Sequence, residues 1–249
     1  LPFVKASEEA QLRLLELADL DTELGRLAHR RKGLPEHAEL DKLGERAGKV
    51  RDAITIADTN LSDLDRELTR AEKDVEQVRS RIERDNKRLD GGLVSNAREL
   101  EQLQSEIVSL KKRQDDLEEV VLELMERREA AQTLRDGAGA ESDAVAAQTA
   151  AVTGRRDGAL AEIAEAEAKA SSSRSTVAAD VPAELLALYD KIRAQSAPGA
   201  ALLRRGQCGG CRVMLSTVDL NAVRAAAPDD VVRCEECRRI LVRTADSGL

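Results

Sequence analysis

From Leu40 onward the chain sets down a core-type residue at intervals that alternate strictly between three and four, through seven heptads. The positions are Leu40, Leu43, Ala47, Val50, Ile54, Ala57, Leu61, Leu64, Leu68, Ala71, Val75, Val78, Ile82, Asp85 and Leu89, and only Asp85 is polar. Such a seam suits one structure: a long helix that buries a narrow stripe against another helix. The partner helix follows in the same chain. Gly91-Gly92 predicts a helix stop, since glycine accepts the left-handed cap conformation. Ser95 or Asn96 can cap the next helix, with Glu99 at capping-box spacing from Asn96. A second seam then runs through Leu100, Leu103, Ile107, Leu110, Gln114, Leu117, Val121, Leu124, Arg128 and Ala131.

Two heptad helices joined by a few residues are antiparallel neighbours, so residues whose numbers add to about 189 face each other. The outer ends agree with this register. Leu17, Leu20, Leu24 and Leu27 form a stripe opposite Leu160, Ile163, Ala166 and Ala170. Gly33 and Pro35 predict a break in the first arm, with Pro35 opening the next helix. Gly137, Gly139 and Gly154 predict a loosened second arm over residues 135–154, with a bend there. The expected fold class is mainly α: a long antiparallel coiled-coil hairpin over residues 1–180, turning near 90–96 and broken near 33–35. Residues 181–249 are expected to form a small C-terminal domain led by a short amphipathic helix, AELLALYDKIRAQ.

Composition limits what such a chain can do. Aromatics make up 1% of the 249 residues, namely Phe3 and Tyr189, whereas a compact enzyme core uses several as bulky filler. No nucleophile-base pair, phosphate-cradling glycine loop or cluster of catalytic carboxylates stands out, so no enzyme and no small-molecule substrate are expected. The net charge of −8 lies almost wholly in the first 179 residues, which disfavours nucleic acid along the arm. No apolar run approaches the roughly 18 residues of a membrane span. The opening residues carry no basic-apolar-small leader pattern, and a cytoplasmic location is expected.

All four cysteines fall in GQCGGCRVMLSTVDLNAVRAAAPDDVVRCEECRRILVR, residues 206–243, as two C-x-x-C pairs. Two intervening residues let both sulfurs of a turn reach one ion at about 2.3 Å, and two such turns complete a tetrahedron. Disulfides fit a reducing compartment poorly. A thioredoxin-type pair needs one C-x-x-C opening a helix in a strand-helix-strand unit. The remaining reading is one structural Zn2+ on Cys208, Cys211, Cys234 and Cys237, in a strand-knuckle-helix-knuckle-strand ribbon. Ser216 or Thr217 is the expected cap of the intervening helix, and Gly206, Gly209 and Gly210 are expected to allow the tight turn. Four protein ligands leave no open position for chemistry.

The segment YDKIRAQSAPGAALLRRGQCGGCRVMLSTVDLNAVRAAAPDDVVRCEECRRILVR resembles the tail of the bacterial four-cysteine zinc-ribbon, coiled-coil hairpin proteins. NARELEQLQSEIVSLKKRQDDLEEVVLELMER resembles the segment after that family's turn. LLELADLDTELGRLAHRRKGLPE is similar to its N-terminal part, most of all in actinobacterial members. The resemblance implies a long hairpin with a ribbon at its open end and a metal role for the four cysteines. Related flagellar members act as adaptors for the nitrogen-type sigma factor, export components and an mRNA. It does not transfer those partners to this chain.

The expected function is therefore a non-enzymatic adaptor with protein partners, engaging them through the ribbon and the arm. Arg204, Arg205, Arg238 and Arg239 around the knuckles, and Leu93 and Val94 at the hairpin tip, are the candidate contact residues. The alternative is a DNA- or RNA-binding regulator that uses the basic rim of the ribbon, which also holds Arg212, Arg233 and Arg243. His29 and His37 are expected on the surface, Gln114 and Arg128 as register-setting seam residues, and Tyr189 as packing at the junction with the ribbon.

Overall fold

The structure, a computed structural model, describes residues 4–92 and 96–249. Leu93 and Val94 lie outside the described residues. Ser7 starts the first helix, α1 (Glu8–Lys32), and its hydroxyl accepts the Ala10 N–H at 3.2 Å. Gly33 stops it, donating its N–H to the His29 carbonyl at 3.0 Å. Pro35 opens α2 (Pro35–Asp90), where its missing N–H costs nothing because first-turn donors have no partner inside a helix. Past Asp90 the chain turns at Gly91-Gly92, and Gly92 takes the left-handed conformation with φ 61°. Asn96 caps α3 (Ala97–Ala179): its side-chain oxygen accepts from the Arg98 N–H at 3.1 Å.

Every α2 seam position from Leu40 to Leu89 is buried or half-buried, Asp85 included. The second seam behaves likewise from Leu100 to Ala131. The expected loosening of the second arm does not occur, because α3 runs without interruption through residues 135–154. Its seam continues there through Ala138, Ser142, Val145, Thr149 and Val152, all buried or half-buried. Gly137 and Gly154 sit on the exposed side, so their cost of about 1 kcal/mol each is local and does not interrupt the buried stripe.

The two long helices form an antiparallel hairpin. Leu64 clusters with Leu124 and Val121, and Leu27 with Ile163 and Leu160, close to the expected register. The residue opposite Leu64 is Leu124 and not Met125, which is 50% exposed. Cross-helix ion pairs flank the seam. Arg128 and Arg135, both on the α3 seam, reach Asp65 and Asp58, and Arg46 reaches Glu141 at 2.9 Å. Gln114 steadies the register indirectly, donating to Glu118, which in turn takes Arg79 at 2.7 Å.

By packing the chain divides into two units, one over Ala38–Thr153, the other comprising the chain through His37 together with Gly154–Leu249. The second unit adds α4 (Ala183–Arg193), α5 (Thr217–Ala225) and four short strands to the ends of the long helices. The strands are β1 (Ala200–Arg204), β2 (Gln207–Cys208), β3 (Val232–Arg233) and β4 (Ile240–Val242). Their order is β2-β1-β4-β3, with β1 and β4 parallel and the outer pairs antiparallel.

Side chains alternate across this sheet, as the strand period of two requires. Ala200, Ile240 and Val242 pack on one face with Leu14 and Leu17 of α1 and Leu185 and Tyr189 of α4. Ala201, Leu203 and Leu241 pack on the other with Cys208, Cys234 and Val223. The Leu17 stripe of α1 is rotated slightly from expectation: Leu20 is half-buried, while the core line runs Ala10, Leu14, Leu17, Asp21.

Candidate metal centre

Two knuckles of the same build bring the cysteines together. In the first, the Arg212 N–H donates to the Cys208 carbonyl at 2.8 Å, and the Cys208 N–H donates to the Val213 carbonyl at 3.0 Å. In the second, Arg238 donates to Cys234 and Cys234 donates to the Arg239 carbonyl, both at 2.9 Å. The residue closing each turn is left-handed: Arg212 and Arg238 both have φ 63°. The expectation for Gly209 and Gly210 is thereby corrected. Neither has a positive φ; what excludes a side chain there is crowding. A Cβ at Gly209 would lie 2.9 Å from the Leu202 carbonyl oxygen, and one at Gly210 2.6 Å from Arg239 Cδ. α5 is capped by Ser216, whose hydroxyl accepts the Asp219 N–H at 3.1 Å.

The four sulfurs lie within 4.8 Å of one another. Cys208 Sγ is 3.7 Å from Cys237 Sγ, and Cys211 Sγ is 3.8 Å from Cys234 Sγ. A tetrahedron with Zn–S bonds of about 2.3 Å has edges of about 3.8 Å. Those two edges match, so the thiol cluster fits one Zn2+, and all four cysteines are free of disulfides. Burial pushes the Cys208 thiol up to about 12 and raises Cys234 as well. At Cys237 burial acts the same way, but the Arg239 backbone N–H and guanidinium, with neighbouring thiols, outweigh it and bring the group down to about 7. Buried thiols of this kind hold a charge together only when a cation shares the site. Four thiolates close the coordination sphere, and the metal's contribution is to tie two knuckles to one sheet face.

The arginines expected on the ribbon rim have divided roles. Arg239 donates to the carbonyls of Pro198 at 2.9 Å and Ala197 at 3.0 Å. Arg243 donates to the carbonyls of Val223, Ala226, Ala227, Pro228 and Asp230, gathering the loop that follows α5. Arg238 pairs with Glu235 at 3.1 Å. Arg204 and Arg205 are exposed and have no ion pair among the described residues. His29 is exposed and His37 half-buried.

Beside the sheet lies a buried polar cluster that the sequence reading missed. The Asp21 side chain is 0% exposed and takes Arg174 Nε at 2.7 Å and Arg193 Nε at 2.9 Å. Arg174 also reaches Asp190 at 2.7 Å. Asp21 follows Leu14 and Leu17 at core spacing, as Asp85 does in its seam, and that spacing was the available signal. A second feature also went unread. Val213, Met214 and Val218 are 44%, 59% and 77% exposed, and they occupy the stretch from the first knuckle into the first turn of α5.

Fold and site together define a helical-hairpin protein with a four-cysteine zinc ribbon and one structural zinc. The chain belongs to the CT398-like coiled coil hairpin family, whose domain matches residues 17–197. The C4-type zinc ribbon domain matches residues 207–241. An uncharacterized Mycobacterium tuberculosis protein is 39% identical over 240 residues, 96% of this chain and 98% of its own length. A solved Mycobacterium smegmatis structure covers 97% of this chain and 100% of its own, with 35% identity and a TM-score of 0.86. CT398 from Chlamydia trachomatis, 20% identical, covers 94% of this chain and 97% of its own with a TM-score of 0.68, a likeness of fold. No helix among the described residues is long and apolar enough to cross a membrane.

Proposed function

We propose that the protein is a non-enzymatic adaptor, with a coiled-coil hairpin over residues 1–180 and a zinc-ribbon domain over residues 181–249 that engages a protein partner. The observation that carries this reading is the exposure of Val213, Met214 and Val218, all within seven residues of Cys211. Three large apolar side chains left exposed so close together in the chain support a protein contact surface on this small domain. The zinc, with Cys208, Cys211, Cys234 and Cys237 as its ligands, fixes the knuckle that presents Val213 and Met214. Arg239 and Arg243 are held on backbone carbonyls and Arg238 on Glu235, which takes three of the seven rim arginines away from phosphate and supports protein over nucleic acid. The hairpin tip with Leu93 and Val94 is a second candidate contact within the same reading.

The test is affinity capture of the tagged protein from its own host after cross-linking, with and without nuclease. The adaptor reading expects nuclease-resistant protein partners that Val213→Ser/Met214→Ser/Val218→Ser loses while zinc content is unchanged. Retention of every partner by that variant overturns it. One observation favours the rival reading: Arg204 and Arg205, exposed at the end of β1 without an ion pair among the described residues. Recovery of nucleic acid that falls steeply with salt, and is lost in Arg204→Glu/Arg205→Glu, would assign the ribbon to nucleic acid instead.

A further inference from the structure

We infer that the side of the arm, within Ala38–Thr153, carries a second docking site, one that takes a basic amphipathic helix. Two exposed apolar side chains mark it. Leu122 is 61% exposed and Met125 50% exposed, and both lie on α3 three residues apart, on one face. Two shallow grooves meet at Leu122. One is floored by Val75 and Val121, the other by Leu68, all seam residues of the coiled coil. Apolar residues at this spacing over an apolar floor are how a hairpin receives a third helix, with its own anchors at i, i+3 and i+7. Methionine suits such a surface because its unbranched thioether adapts to different anchors.

Charge selects the occupant. The groove walls carry the carboxylates of Asp65, Glu72, Glu76, Glu118, Glu126 and Glu129. Arg128 neutralises Asp65 and Arg79 neutralises Glu118. Glu72, Glu76, Glu126 and Glu129 have no cation partner among the described residues, and all four are exposed. Glu72 and Glu76, one turn apart on α2, line one groove, and Glu126 and Glu129, one turn apart on α3, line the other. Within each pair the spacing of about 5–6 Å is inside the Debye length of about 8 Å, so each groove carries its own negative rim. These rims repel an acidic helix, including the outer faces of a chain with net charge −8, and attract a helix that alternates lysine or arginine with leucine. The complementary partner is thus a basic amphipathic segment and not a second copy of this chain.

The site deepens the adaptor reading and rests on it in its general form, yet its test is separate from the ribbon's. Full-length, zinc-loaded protein is titrated into a fluorescent synthetic helix of leucine and lysine, and into a leucine-glutamate helix of the same pattern, by anisotropy. The leucine-lysine helix is expected to bind, with affinity falling as salt rises. Leu122→Ser/Met125→Ser is expected to weaken it about tenfold or more at unchanged helical circular dichroism. Glu126→Gln/Glu129→Gln is expected to weaken it and flatten the salt dependence. Val213→Ser/Met214→Ser/Val218→Ser is expected to leave it intact, so failure of the ribbon surface and failure of this site are told apart. Equal binding of both helices, or full binding by Leu122→Ser/Met125→Ser, overturns the proposal. So does sedimentation that finds a dimer abolished by Leu122→Ser, which would give the groove to a second copy.

Discussion

The Tyr189 hydroxyl donates to Asp21 Oδ2 at 2.6 Å, joining α4 to α1 in a site where both side chains are withdrawn from water. Burial and this carboxylate hold the phenol well above its ordinary value of 10.0. Tyr189 is the protein's sole tyrosine, so ultraviolet titration reports on it alone. The sign follows from the direction of the shift. A raised phenol contributes stability that is complete below the unfolded value and is lost as pH rises toward the folded one. Stability is expected to be insensitive to this group up to about pH 10 and to fall above it, with tyrosinate absorbance appearing only as the protein unfolds. Tyr189→Phe should remove that alkaline component.

Asp21 is the more costly member to lose. Asp21→Ala removes the acceptor of Tyr189 together with the carboxylate shared by Arg174 and Arg193. Arg174 keeps Asp190 and the Arg193 side chain is 37% exposed, so the cost falls toward the lower end of the range of about 3–5 kcal/mol for a fully buried pair. Tyr189→Phe removes one hydrogen bond to a charged acceptor, about 1.5–3 kcal/mol. Urea denaturation of the two variants should rank them in that order. A smaller effect for Asp21→Ala than for Tyr189→Phe would place the centre of the network elsewhere.

Arg243 is expected to behave as a structural residue of the ribbon. Its guanidinium spans five carbonyls, a fan that the compact ammonium of lysine cannot reproduce. Arg243→Lys and Arg243→Ala should both lower the ribbon's melting temperature and speed loss of zinc to a chelator. Lysine restoring wild-type behaviour would mean that charge alone is at work.

The hairpin register can be trapped. Leu64 is 3% exposed and Leu124 7% exposed in one cluster. Leu64→Cys/Leu124→Cys should cross-link within a single chain, and Leu64→Ala should cost about 2–5 kcal/mol. Cross-links formed only between chains would mean that the seams pair in a dimer.

The arm was legible because a heptad seam is a local, repeated signal: each position from Leu40 to Leu89 declares its own burial through spacing. The cysteine set was legible for a similar reason, since C-x-x-C spacing matches one coordination geometry. Glycines misled twice. Gly137 and Gly154 looked like weak points, yet a helix held by its buried side tolerates them on the other. Gly209 and Gly210 looked like turn formers, yet the turns close on Arg212 and Arg238, and the glycines answer to a carbonyl and an arginine across the sheet. Tertiary partners of that kind leave no mark in local sequence. The arginine rim was legible only in part: Arg204 and Arg205 are exposed as expected, but that Arg239 and Arg243 point at carbonyls depends on the chain before β1 and the loop after α5.

The central claim is that one closed zinc site shapes a binding ribbon on a hairpin that folds through its own seams. Metal analysis of the full-length protein, combined with circular dichroism and partner capture before and after chelation, tests it most directly. Structural zinc supplies roughly 10–16 kcal/mol of apparent folding energy to such a domain. The expected result is one zinc per chain, lost in Cys234→Ser, with chelation abolishing capture through Val213, Met214 and Val218 while the helical signal of the seams persists. Full zinc retention in Cys234→Ser, or partner capture that survives complete removal of the metal, would contradict it.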